Sequence, residues 1–320
     1  MEFNLEESAM KIVFLDVKTI GDDIDLSKYN TLGEVVKYDF STPEQIPERV
    51  KDADVIILNK APINAQTIGT AEHLKLVCVT ATGTNNLDKA YLEAQGIAWR
   101  NVAGYSTESV AQHTFAMLFY LLEKLSYYDH YVKEEHYVND TLFTHFGKHF
   151  HEICGKTWGI IGLGNIGRRV ADIAKAFGAN VIYYSTSGNN DQPDYTRVDF
   201  DTLLTTSDIV SVHAPLTPET EQLLNAEAFS KMKSSAIFLN VGRGAIVVEQ
   251  DLADALNSNR IAAAGLDVLC EEPMSPNSPF LSIKDSNRLL ITPHIAWASV
   301  EARANLMSIV YHQICEFYHL

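Results

Sequence analysis

Trp158-Gly159-Ile160-Ile161-Gly162-Leu163-Gly164-Asn165-Ile166-Gly167 joins a short apolar run to three glycines spaced G-x-G-x-x-G. The run reads as a strand. The apolar residues that follow, Ile166, Val170, Ile173 and Phe177, recur at the spacing of a helix face. The glycines therefore fall where a strand turns into a helix, the setting that a dinucleotide-binding turn requires. Gly162 permits the tight turn, Gly164 lets backbone approach a pyrophosphate, and Gly167 lets the helix pack close on the strand. Unpaired N–H groups at the helix start, from Asn165 and Ile166 onward, would meet the phosphate charge.

Short runs rich in Val, Ile and Leu alternate with helical segments on both sides of this turn. Downstream of Trp158–Leu163 they are Asn180–Tyr184, Ile209–His213, Ala236–Val241, Ala262–Val268 and Leu289–Thr292. Upstream they are Lys11–Asp16, Val35–Phe40, Asp54–Leu58, Leu74–Thr80 and Ile97–Asn101. Near-continuous apolar runs suit parallel strands covered on both faces, with helices such as Asp251–Asn257 as the crossovers. An α/β protein of two doubly wound parallel-sheet domains is expected. The length of 320 residues, 46% of them hydrophobic, accommodates two domains of roughly 100–200 residues with a core each.

Between the two series, Ser106–Leu125 predicts a helix with Ser106 or Thr107 as its cap and Glu108 in its first turn. It is apolar nearly all round, which places it at a domain or subunit interface. Tyr127–His151 is aromatic and carries His130, His136, His145, His149 and His151 without ordered ligand spacing. It reads as a packed interface arm, not a metal site.

The net charge of −16 argues against nucleic acid or anionic membrane as partners. No apolar run reaches the roughly 18 residues that a membrane span needs. The acidic start, Met1 to Glu7, lacks the plan of a signal peptide. Cys78, Cys154, Cys270 and Cys315 are scattered with no C-x-x-C pair, which reads as reduced thiols in the cytoplasm. A small anionic substrate would need a local cationic pocket within this negative field.

Three further motifs sit at strand ends, where ligands of open α/β sheets bind. They are Asn240-Val241-Gly242-Arg243-Gly244, Asp267-Val268-Leu269-Cys270-Glu271-Glu272-Pro273 and Thr292-Pro293-His294-Ile295-Ala296. Oxidising a 2-hydroxy acid needs a base near neutrality, a cation for the carboxylate and a group that orients the base. Histidine, arginine and a carboxylate suit these tasks. An acid about 20 residues past the glycine turn would hold the cofactor ribose. The chain has Tyr184-Ser185-Thr186-Ser187 there instead, with no Arg or Lys for a 2′-phosphate. NAD is the expected cofactor, NADP remains open, and Ser185 is a candidate sugar contact.

With these motifs in this order, the sequence resembles the D-isomer-specific 2-hydroxyacid dehydrogenases over essentially its whole length. The resemblance implies a Rossmann cofactor domain, residues 102–292, inserted in a flavodoxin-like substrate domain, residues 1–101 plus 293–320. It implies Arg243 as substrate anchor, His294 as acid/base and Glu272 as the partner of His294. It places Asp267 at the nicotinamide end, and Val241, His213 and Pro215 along the cofactor cleft. It assigns Thr82, Gly83 and Thr84 to a carboxylate-binding turn, with Lys60 as an added positive charge and Tyr105 near the substrate.

Asn59-Lys60-Ala61-Pro62 and Gly83-Thr84-Asn85-Asn86 look most like glycerate dehydrogenase and hydroxypyruvate reductase members. D-glycerate/hydroxypyruvate is therefore the expected substrate pair, with glyoxylate beside it. Little chain follows the helix after His294, so a separate regulatory domain is not expected. A homodimer is. The alternative is a nicotinamide-sensing interaction protein on the same fold, like the corepressors that retain similar motifs.

Overall fold

The computed structural model describes residues 10–320, so the acidic start Met1 to Glu7 lies outside the described residues. The chain divides into two compact units. One contains the described part of Met1–Ser106 together with Ala298–Leu320, and the other is Thr107–Trp297.

In the first unit, β1 (Lys11–Phe14), β2 (Glu34–Lys37), β3 (Val55–Leu58), β4 (Leu76–Val79) and β5 (Ala98–Asn101) form one parallel sheet. Their order, β2-β1-β3-β4-β5, is flavodoxin-like. β3 and β4 are buried at every position, which is why they read as unbroken apolar runs. The helices α1 (Ile46–Val50), α2 (Ala65–Ile68) and α3 (Lys89–Ala94) connect successive strands. The last helix of the chain, Val300–Tyr318, completes this unit. The buried Tyr29 donates its hydroxyl proton to the carbonyl of Met307 at 2.7 Å, and Arg303 grips Asp23 at 2.8 Å. The helix is thus tied back to the first strand series.

The second unit carries β6 (Thr157–Ile161), β7 (Asn180–Tyr184), β8 (Thr196–Arg197), β9 (Ile209–Val212), β10 (Ile237–Asn240), β11 (Ala263–Leu266) and β12 (Leu289–Ile291). They make a 7-stranded parallel sheet ordered β12-β11-β10-β9-β6-β7-β8. Strand order reverses between β6 and β9, the Rossmann switch point. The helices are α4 (Thr107–Leu122), α5 (Leu125–Lys133), α6 (Asn165–Ala176), α7 (Phe200–Thr206), α8 (Ala226–Lys231) and α9 (Glu249–Asn257), and the last helix becomes α10.

α4 differs from its sequence reading at its end. It ends at Leu122, because Lys124 adopts a left-handed conformation that restarts the chain as α5. Its Val110, Phe115, Met117, Leu118 and Leu121 join Trp158, Ile160 and Leu239 in one core cluster. Phe119, Tyr120 and Leu122 of the same helix are only partly buried.

Candidate active site

The glycine turn lies between β6 and α6. Gly162 has φ +89°, and a Cβ there would stand 2.7 Å from the Ala214 backbone. A Cβ on Gly167 would stand 2.3 Å from the Gly162 carbonyl oxygen. Both positions exclude any side chain. Around Gly164 the space is open, with nothing within 4 Å of where a Cβ would point. Gly164 caps α6 without a side-chain bond, and the first backbone bond into it is Arg168 N–H to Gly164 O at 2.9 Å. The N–H groups of Asn165, Ile166 and Gly167 have no acceptor among the described residues. An open cradle lined by helix-start donors fits a pyrophosphate.

At the end of β7, Ser185 is buried and its Oγ accepts from the Asn190 N–H at 3.3 Å. Asn190 Nδ2 donates to Leu163 O at 2.7 Å, so this segment folds back onto the glycine turn. His213 follows β9. Its Nε2 lies 3.0 Å from Ser211 Oγ, which also accepts from Trp158 Nε1 at 2.9 Å. The arrangement that satisfies these groups has Ser211 donating to Nε2, which leaves the proton on Nδ1. Nδ1 is buried without a partner among the described residues. Burial pushes the imidazole pKa down to about 3, so His213 is neutral. Val241 is a buried core residue, and Pro215 is exposed.

Arg243 stands just past β10. The fully buried Asn240 clamps its turn, accepting from Gly242 N at 3.0 Å and donating to Arg243 O at 3.0 Å. The guanidinium donates to Gly242 O at 2.7 Å. A Cβ on Gly244 would lie 2.0 Å from the carbonyl carbon of Leu269. The Arg243 turn thus presses against the segment leading to Glu272. Glu272 Oε1 accepts from Leu269 N at 3.0 Å, and Oε2 lies 2.7 Å from His294 Nδ1. The structure brings these two predicted residues together. Nε2 of His294 has no partner among the described residues.

His294 itself has φ +55°, an uncommon conformation for a side-chain-bearing residue. Asp267, 1% exposed, secures it. Its backbone carbonyl takes the His294 N–H at 2.9 Å, and its carboxylate takes Ile295 N and Ala296 N, each at 2.9 Å. The Thr292 hydroxyl donates to the same carboxylate at 2.7 Å, and His113 Nε2 lies 3.0 Å from that hydroxyl. The family resemblance implies a contact of Asp267 with the nicotinamide end. The structure shows its carboxylate bonded to the turn that carries His294. His113 belongs to this polar network, although its helical setting reads as plain core.

The candidate substrate residues lie in the first unit. Thr82, Gly83 and Thr84 follow β4 in a loop pinned by Thr82 Oγ1 to Val102 O at 3.0 Å and by Asn101 Nδ2 to Thr82 O at 2.7 Å. The N–H groups of Gly83, Thr84 and Asn85 have no acceptor among the described residues, which leaves an anion nest. Lys60 is exposed after β3, and Tyr105 is half-buried after β5. Asn240, Thr292 and Asp16 escape sequence reasoning. Asn240 alone carries a signal, since asparagine side chains in tight turns bond the backbone two residues on.

A dinucleotide cradle after β6, with an imidazole after β12 aligned by a carboxylate from the segment after β11, is the equipment of a nicotinamide-dependent oxidoreductase. Residues 115–296 match the family model described as D-isomer specific 2-hydroxyacid dehydrogenase, NAD binding domain, and the chain belongs to that family. It is an NAD(P)-dependent 2-hydroxyacid dehydrogenase. It is similar to a hydroxypyruvate reductase of Blautia hydrogenotrophica, 37% identical over 314 residues and covering 96% of this chain and 97% of that protein. A glycerate dehydrogenase of Methylorubrum extorquens is 37% identical over 293 residues, 91% of each chain. Among solved structures, an acyclic imino acid reductase in complex with NADPH and D-arginine superposes with a TM-score of 0.84, at 30% identity over 97% of each chain.

Proposed function

We propose that the protein interconverts hydroxypyruvate and D-glycerate, accepts glyoxylate, prefers NAD(H), and works as a cytoplasmic homodimer. The observation that carries the chemistry is the His294–Glu272 bond at 2.7 Å with Nε2 left unpaired. The names of the two relatives support the substrate. The absence of a basic residue among Tyr184 to Ser187 supports NAD over NADP.

Bound nicotinamide supplies or accepts the hydride at the substrate C2. Glu272 fixes the imidazole through Nδ1, so Nε2 is the atom that hands a proton to the carbonyl oxygen in reduction and takes it in oxidation. The carboxylate also stabilises the imidazolium that oxidation forms. Arg243 supplies a planar fork for the substrate carboxylate and polarises the carbonyl. In the first unit, the N–H groups of Gly83 to Asn85 and the ammonium of Lys60 are anion-binding groups in their own right.

The test is a panel of 2-keto acids run with NADH and NADPH. Hydroxypyruvate with NADH is expected to show the highest kcat/KM. His294→Ala is expected to lower kcat by about 10²–10⁴ with NADH binding intact, and Arg243→Ala to abolish useful turnover. Preference for pyruvate or a bulkier acid would overturn the substrate. Tight cofactor binding without turnover of any 2-keto acid would favour a nicotinamide-sensing interaction protein.

A further inference from the structure

Asp16 closes β1 with a carboxylate that is 4% exposed. Three successive N–H groups from the turn after β3 converge on it. Asn59 donates to Oδ1 at 2.8 Å, Lys60 to Oδ2 at 2.7 Å and Ala61 to Oδ2 at 3.1 Å. The opposite side of the turn is held by Asn86, whose Nδ2 donates to Ala61 O at 2.9 Å and Asn59 O at 3.3 Å. Asn86 belongs to the loop that carries the Gly83–Asn85 nest, and its own carbonyl accepts from Ile63 N at 2.8 Å. The backbone of Lys60 is therefore fixed from two directions while its side chain stays exposed. Lys60 forms no ion pair among the described residues.

A buried carboxylate is expensive unless well bonded, and an ordinary surface turn needs none. Burial raises the pKa of Asp16, and the N–H groups of Lys60, Asn59 and Ala61 act against that rise. Held on one side by a buried acid and on the other by the nest-bearing loop, the turn fixes the backbone from which the Lys60 side chain extends, and the Lys60 charge also acts on Asp16.

We infer that Asp16 is a positioning residue for the substrate, acting through the turn it gathers to fix Lys60 beside the Gly83–Asn85 loop. The ligand is a 2-keto acid whose carboxylate or oxygen-bearing C3 substituent meets the Lys60 ammonium. This rests on the functional reading above.

The experiment compares wild type, Asp16→Asn, Lys60→Ala and the double variant with hydroxypyruvate and glyoxylate, alongside melting temperature and NADH affinity. Asparagine keeps the shape but loses the charge and one acceptor. Asp16→Asn is expected to raise the KM for the keto acid about tenfold, the loss of one charge-assisted hydrogen bond. kcat and NADH affinity should stay within about twofold on the same reasoning. In the Lys60→Ala background the change should add nothing further, because the residue it positions is gone. Additive effects, an unchanged KM, or a joint fall of kcat, NADH affinity and melting temperature would each overturn the inference. A wild-type protein that reduces no 2-keto acid would defeat the functional reading instead, and the inference with it.

Discussion

His294 and Glu272 are 22 residues apart in the chain, yet one bond between them determines which imidazole nitrogen is available for chemistry. Neighbouring polar groups follow the same logic. Asp267 secures the left-handed turn at His294, Asn240 clamps the turn at Arg243, and Ser211 orients His213. His213 also bears on stability. Its ordinary pKa is 6.5, and burial takes it to about 3 in the folded protein. Between those values the unfolded chain binds a proton that the folded chain refuses. Stability of the cofactor-free protein therefore falls as pH drops below about 6.5, and this loss is complete near pH 3. In His213→Gln, which keeps an acceptor for Ser211, the drop in melting temperature from pH 7 to pH 4.5 is expected to be smaller than in wild type. Equal drops, followed by thermal unfolding at the two pH values, would show that His213 is not a buried neutral group.

The β6–turn–α6 unit separates two uses of glycine that its sequence motif lumps together. Gly167 serves packing, since a Cβ would collide with the Gly162 carbonyl at 2.3 Å. Gly164 serves access, since its surroundings are empty and its conformation is extended. Gly164→Ala is expected to fold with an unchanged melting temperature but to bind NADH at least tenfold more weakly, because the methyl enters the phosphate cradle. Gly167→Ala should lose stability itself, by about 1–3 kcal/mol, through overpacking. Calorimetric titration and thermal unfolding check both, and a Gly164→Ala protein with wild-type NADH affinity would remove the pyrophosphate from this turn. Such elements were legible in the sequence because burial on both faces leaves unbroken apolar runs, as in β3 and β4, and because glycine spacing records a turn. β8, two exposed residues at a sheet edge, left no such trace. Nor did the Asp16 turn, whose bonds join a side chain to backbone 43 and more residues away. Hydrogen bonds of that kind have no period in sequence, so the motifs announce the catalytic groups and stay silent about what holds them.

For the whole molecule, the arm Tyr127–His151 raises the question of what it meets. Two of its histidines have separate partners: His145 stacks on Tyr131 and bonds Tyr127, while His130 bonds the Ser126 carbonyl. Its apolar groups do not turn inward. Val138 is 80% exposed, Phe143 89% and Phe146 78%, with Leu142 and Phe150 beside them in sequence. Scattered exposed apolar residues are ordinary on a monomer, but a run of this kind marks a contact surface. A second copy of the chain is the occupant proposed above, and two-fold symmetry would bury each of these side chains twice. Burying one phenylalanine is worth roughly 1.5–3 kcal/mol, so charging Phe143 and Phe146 together would remove several kcal/mol from such a dimer. Wild type is expected to sediment as a dimer of the 35.6 kDa chain at micromolar concentration, and Phe143→Asp/Phe146→Asp as a monomer with its secondary structure retained. A monomeric wild type would refute the dimer. A double variant that stayed dimeric would move the interface away from the arm, and those exposed rings would then need another partner.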